Sequence, residues 1–116
     1  MVSDCIFCKI AGKEIPSDLV YEDEQVVAFR DLSPQAPVHV LVIPKKHVGS
    51  LLELKAEDKE LAGHILTEVV PAIARKLEVA EDGFRLVVNT GENGNQTVKH
   101  LHFHLLGGRM MQWPPG

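Results

Sequence analysis

The segment His100-Leu101-His102-Phe103-His104-Leu105-Leu106 constrains this chain more than any other. Its polar–apolar alternation has the two-residue period of a β-strand, so it predicts a strand over His100 to Leu106 with two unlike faces. Leu101, Phe103 and Leu105 must be covered by a core. His100, His102 and His104 then share the opposite face, with successive imidazoles roughly 6–7 Å apart. Three such rings in a row are costly as mere surface filling, and neutral imidazole is a nucleophile, a base or a metal ligand near pH 7. A His-x-His pair is also a zinc chelate. A metal-dependent hydrolase with the row as its ligands therefore stays open at this point.

The rest of the chain must supply the cover. Leu19-Val20-Tyr21 and Val26-Val27-Ala28-Phe29 read as a hairpin around polar Glu22-Asp23-Glu24-Gln25. Ser33 to Pro37 is a loop, since each proline lacks a donor and restricts its predecessor. Val38-His39-Val40-Leu41-Val42-Ile43 predicts a central strand covered on both faces and ended by Pro44. Residues 57–78 predict the one long helix. Leu61, Ile65, Val69 and Ile73 recur at four-residue spacing, with Leu66, Val70 and Leu77 widening the stripe, and Pro71 should kink it. Phe84 to Asn89 is the next strand, followed by a tight Gly/Asn loop from Thr90 to Asn95. One helix among about five strands argues an α+β domain with an antiparallel sheet, and 116 residues make one domain. The apolar tail, Met110 to Gly116, should pack on something, a partner subunit being one candidate.

A net charge of −4 provides no basic surface for a nucleic-acid polymer. No apolar run approaches the roughly 20 residues that span a bilayer, and the amino terminus lacks the basic-then-apolar pattern of a secretory signal. The expectation is a cytoplasmic protein without membrane contact. Cys5 and Cys8 are the two cysteines. In a reducing compartment they read as half of a metal site or as a redox dithiol. Asn89 to Thr97 places main-chain N–H groups, amides and a hydroxyl just before the histidine row. Those are neutral donors suited to a phosphate. Read alone, His39 is a core histidine, Asp31 a turn residue, Asn89 a turn cap, and His64 a residue at the helix surface or core edge.

The stretch Gln96-Thr97-Val98-Lys99-His100 to Leu106 resembles the histidine triad (HIT) family, whose motif is His-φ-His-φ-His-φ-φ with φ apolar. The likeness extends to Phe29-Arg30-Asp31-Leu32-Ser33-Pro34-Gln35-Ala36-Pro37, Pro44-Lys45-Lys46-His47, Asn89 and Trp113-Pro114-Pro115-Gly116. The last of these makes it most similar to the Hint-type branch, the purine nucleoside phosphoramidases. The resemblance implies a five-stranded antiparallel sheet with one long helix and a short N-terminal helix over residues 1–116, pairing as a homodimer. It implies that His102 attacks the α-phosphorus of a purine nucleoside 5′-phosphoramidate or an aminoacyl adenylate. A nucleotidyl-histidine forms, and water then releases the nucleoside monophosphate without a catalytic cofactor. His104 would contact the phosphate or leaving group, His39 would buttress the row, and Thr97 with the loop amides would stabilise charge. Asp31 would hold the ribose, Phe7, Ile10, Phe29, Leu32 and Leu41 the base, and Asn89 and Gln96 the ribose–phosphate side. Trp113 would reach the partner's site. Cys5, Cys8, His47 and His100 would hold a structural zinc ion. A nucleotide-binding interaction module without turnover is the remaining alternative.

Overall fold

The computed structural model of the chain describes residues 4–116. Met1–Ser3, on which the expected absence of a secretory signal partly rests, lie outside the described residues. Five strands form one antiparallel sheet in the order β1-β2-β3-β5-β4. They are β1 (Leu19–Glu22), β2 (Val26–Arg30), β3 (Val38–Pro44), β4 (Phe84–Val88) and β5 (Phe103–Gly107). The apolar run of β3 lies at the centre, bonded to β2 and β5. A short helix, α1 (Ile6–Ala11), precedes β1, and the long helix crosses between β3 and β4.

The pleat sorts β2 and β3 residue by residue. Val26, Ala28, Val40 and Val42 face the long helix in the larger core, which also takes Leu101, Phe103 and Leu105. Val27, Phe29, Leu41 and Ile43 face the other way and pack with Phe7 and Ile10 of α1 in a second cluster. The expected two-sided cover of the central strand is thus built from one long and one short helix.

One expectation is corrected in the long helix. It runs through α2 (Lys59–His64), a π-helical turn (Ile65–Val69) and α3 (Val70–Lys76). Val70 donates to the Ile65 carbonyl five residues back. Pro71 follows directly on that wider turn, and its missing N–H removes one donor from the helical ladder there. Leu66 is 51% exposed and does not widen the core stripe. It sits one residue, about 100° of rotation, past the buried Ile65. His64 is no passive surface residue: Nε2 lies 2.6 Å from Asp23 Oδ2, which also accepts from Tyr21 Oη at 2.7 Å, tying helix to hairpin. Lys76 adds a second tie through the Val20 carbonyl at 2.7 Å.

A second correction concerns the boundary of the last strand. It starts at Phe103, so His100, Leu101 and His102 precede it, yet the sidedness holds: Leu101 joins Phe103 and Leu105 in the larger core, while Phe7 of the other cluster packs against His100 and His102. They run alongside the end of β3, where Leu101 N–H donates to the Val48 carbonyl at 2.6 Å. In the loop before them Gly91 and Asn95 take positive φ, as expected. Gly94 is sterically required: a Cβ there would stand 2.4 Å from the Thr90 carbonyl oxygen.

Candidate active site and metal cluster

Antiparallel register sets the first pair of imidazoles. Leu41 faces His104 and His39 faces Leu106 across β3 and β5, so His39 and His104 are diagonal neighbours on the face away from the long helix. His39 Nε2 lies 2.9 Å from His104 Nδ1. The main-chain N–H of Gln35 donates to His39 Nδ1 at 3.0 Å, so in the neutral ring the proton sits on Nε2. That proton is given to His104 Nδ1, which leaves His104 with its own N–H on Nε2. Asp31 Oδ2 stands 3.6 Å from His39 Nε2 and strengthens this polarity. Burial, with the charges of His102 and His39, pulls the His104 pKa down to about 4. Burial also lowers that of His39, against the pull of Asp31. Both rings are neutral near pH 7.

His102 carries the opposite tautomer. Its Nδ1 lies 2.7 Å from the His100 carbonyl, which can only accept, so Nδ1 holds the proton and Nε2 a bare lone pair. Its ring centroid is 5.1 Å from that of His104, closer than strand spacing alone would put it. Phe7 of α1 packs edge-on against it at 5.1 Å. In the neutral form of the His102 ring the site therefore presents one nucleophilic nitrogen beside one N–H donor, both set by named partners.

His100 faces elsewhere. Its Nε2 lies 2.8 Å from the Pro44 carbonyl, leaving Nδ1 bare. That atom is 3.3 Å from Cys5 Sγ, 3.4 Å from Cys8 Sγ and 3.2 Å from His47 Nδ1, while Cys8 Sγ and His47 Nδ1 are 3.1 Å apart. All four donor atoms lie within 4.8 Å of one another. Tetrahedral zinc at ordinary bond lengths separates its ligands by roughly 3.3–3.8 Å, so this two-sulfur, two-nitrogen set fits that ion. The Pro44 carbonyl supplies the outer contact that orients a ligating imidazole. Without an ion, burial and the neighbouring Cys5 push the Cys8 thiol up to about 11. Asp31, His39 and His104 also converge. They fit a cation poorly, because the shared proton between the two rings occupies the position a metal would take. The three triad histidines do not point at one centre, since His100 turns to the cysteines.

The other expected residues divide. Phe7, Ile10, Phe29 and Leu41 come together in the second core cluster, whereas Leu32 is 99% exposed and apart from it. Asp31 is half-buried, with Oδ1 taken by the Ser33 N–H at 2.7 Å. Asn89 Nδ2 braces the loop through the Gly94 carbonyl at 2.6 Å. The Gln96 amide is committed to the Gly49 and Val98 carbonyls and the Gly91 N–H. Thr97 is exposed and lines an opening of about 490 Å³ with Asp4, Cys5, Ile6, His47, Val98 and Lys99. Trp113 is 83% exposed, so the tail does not find within one chain the packing expected of it. The family likeness implies a main-chain carbonyl that fixes the His102 tautomer, and the His100 carbonyl stands there. Sequence reasoning missed Gln35 and the Pro44 carbonyl, since main-chain partners leave no residue signature. It also missed Arg109, which donates to the Gln35 carbonyl at 3.1 Å and holds that loop.

A histidine pair of opposed tautomers beside a Cys2His2 cluster, on a five-stranded antiparallel sheet, defines the class. The chain belongs to the HIT family: the HIT domain matches residues 12–111. It is 57% identical over 116 residues to an uncharacterized HIT-like protein of Synechococcus elongatus, covering all of both chains. It is 53% identical to a 14 kDa zinc-binding protein of Zea mays, over 98% of this chain and 89% of that one. Its fold matches a HIT family hydrolase from Legionella pneumophila with a TM-score of 0.93 at 49% identity, over 97% of this chain and 99% of the other. Among the described residues no helix is long and apolar enough to cross a membrane.

Proposed function

We propose that the protein is a Hint-type hydrolase, acting on purine nucleoside 5′-phosphoramidates or aminoacyl adenylates at the α-phosphorus. The observation that carries this reading is the bare Nε2 of His102, held by the His100 carbonyl behind it, beside the Nε2–H of His104. His102 Nε2 forms a bond to phosphorus as the phosphorus–nitrogen bond, or the phosphorus–oxygen bond of an adenylate, breaks. His104 donates toward the phosphate or leaving group, and main-chain N–H groups with the Thr97 hydroxyl of the Thr90–Thr97 segment contribute neutral donors to the developing charge. Water then attacks the nucleotidyl-histidine, releasing the nucleoside monophosphate and restoring His102. The neutral His102 ring needs no change of tautomer before attack, because the proton on Nδ1 is already directed at a carbonyl.

Asp31 accepts from the ribose hydroxyls, and the Phe7–Phe29–Leu41 side supplies the base contact. Zinc, when held by Cys5, Cys8, His47 and His100, contributes a fixed scaffold at the edge of the site. The exposed Trp113 tail supports a homodimer in which it reaches the partner's leaving-group side. The test is turnover of adenosine 5′-phosphoramidate with mass detection of the nucleotidyl-protein. Single-turnover quench should trap the adduct on His102, and His102→Ala should abolish both adduct and turnover. Full activity in His102→Ala would overturn the mechanism, and tight monophosphate binding without any turnover would leave a binding module.

A further inference from the structure

His100 belongs to both sites at once. Its Nδ1 faces Cys5, Cys8 and His47, its Nε2–H donates to the Pro44 carbonyl at 2.8 Å, and its own carbonyl accepts from His102 at 2.7 Å. The ring is wholly buried. A second path starts from the same cluster. Phe7 lies between Cys5 and Cys8 in sequence, and its ring packs edge-on against His100 at 6.0 Å and His102 at 5.1 Å.

Resting on the reading of His102 as nucleophile, we propose that zinc bound by Cys5, Cys8, His47 and His100 positions the His102 ring and holds its tautomer. His100 is thereby a positioning residue for the reaction, and the cluster is more than a structural staple. The physical reason lies in what the cluster does when it has no ion to share. Without an ion the bare His100 Nδ1 is held only by weak hydrogen bonds from the Cys5 and Cys8 thiols at 3.3 and 3.4 Å, or from an Nδ1–H tautomer of His47 at 3.2 Å, so the ring is freer to turn than when metal bonds fix it. Turning His100 breaks its bond to Pro44 and shifts the residue whose carbonyl holds His102. At the same time α1, six residues long, is too short to be stable alone. It is fastened by Phe7, Ile10 and the two cysteines, and without the metal bonds Phe7 loses its stop against His102.

The test compares zinc-loaded wild type, chelator-stripped wild type and His47→Ala, all with ¹⁵N-labelled histidine. His47 is exposed, so its removal takes a ligand without opening the core. The ring-nitrogen shifts of His102 and the hydrogen exchange of its Nδ1–H are read beside kcat, KM and far-ultraviolet circular dichroism. Loss of zinc should speed that exchange and lower kcat by about 10- to 100-fold, the usual scale for outer contacts of a metal site. KM and the dichroism should hold nearly constant. A folded, zinc-free His47→Ala protein with unchanged His102 exchange and unchanged kcat overturns the proposal. If the His102 ring responds to zinc but no nucleotidyl adduct ever forms, the hydrolase reading fails while the coupling stands.

Discussion

Acidification should expose how strongly the fold refuses a proton at His104. Burial and the neighbouring rings hold its folded pKa at about 4, against 6.5 for an ordinary histidine. Between those values the unfolded chain binds a proton that the native state does not, so unfolding is favoured as pH falls. The contribution is complete above pH 6.5 and is lost on descending through the window to about pH 4. Each pKa unit corresponds to about 1.4 kcal/mol, so about 2 kcal/mol is gone by pH 5 and about 3 kcal/mol by pH 4. His39 and His100 are lowered too, and His64 is raised by its bond to Asp23. A wild-type curve alone therefore mixes several groups. The cleaner perturbation is His104→Gln, whose amide oxygen still accepts from His39 but does not titrate. Urea unfolding of both proteins from pH 7 to pH 5 should show wild type losing about 2 kcal/mol more than the variant. Parallel curves would refute the argument that His104 is kept neutral by its surroundings.

Two further outcomes are expected. His39→Leu removes the donor to His104 Nδ1 and should lower kcat roughly 5- to 150-fold, the equivalent of about 1–3 kcal/mol for a buried partner left unmatched. His39→Gln, which can still donate, should recover most of that loss in the same steady-state assay. Leu105 is completely buried between the sheet and the long helix. Leu105→Ala should cost about 2–5 kcal/mol in denaturant unfolding, the range for a core leucine whose cavity cannot fully close.

Periodicity made most of the sheet legible. The continuous apolar run of Val38–Ile43 and the alternation around His104 placed the strands, the central position of β3 fits that run, and the four-residue spacing of Leu61 to Ile73 found the helix. What escaped was set by contacts distant in sequence. Nothing local in the sequence shows that Pro71 is preceded by a π turn. The strand boundary at Phe103 goes with the Val48 carbonyl, distant in sequence, which takes the Leu101 N–H in place of a ladder partner. The ligand set of the metal cluster came from family likeness, and here the four side chains converge as that likeness implied. The amides of Asn89 and Gln96 look available in a polar loop, yet Asn89 Nδ2 is taken by the Gly94 carbonyl, and the whole Gln96 amide by the Val98 carbonyl, the Gly91 N–H and the distant Gly49 carbonyl.

The protonation pattern of this site is written largely in peptide groups: the N–H of Gln35 and the carbonyls of Pro44 and His100. Alanine scanning is blind to such groups, because truncating a side chain leaves the amide in place. Gln35→Ala keeps its N–H, whereas proline there deletes the donor. Tolerance at position 35 would then follow the shape of the main chain instead of the chemistry of the residue it carries.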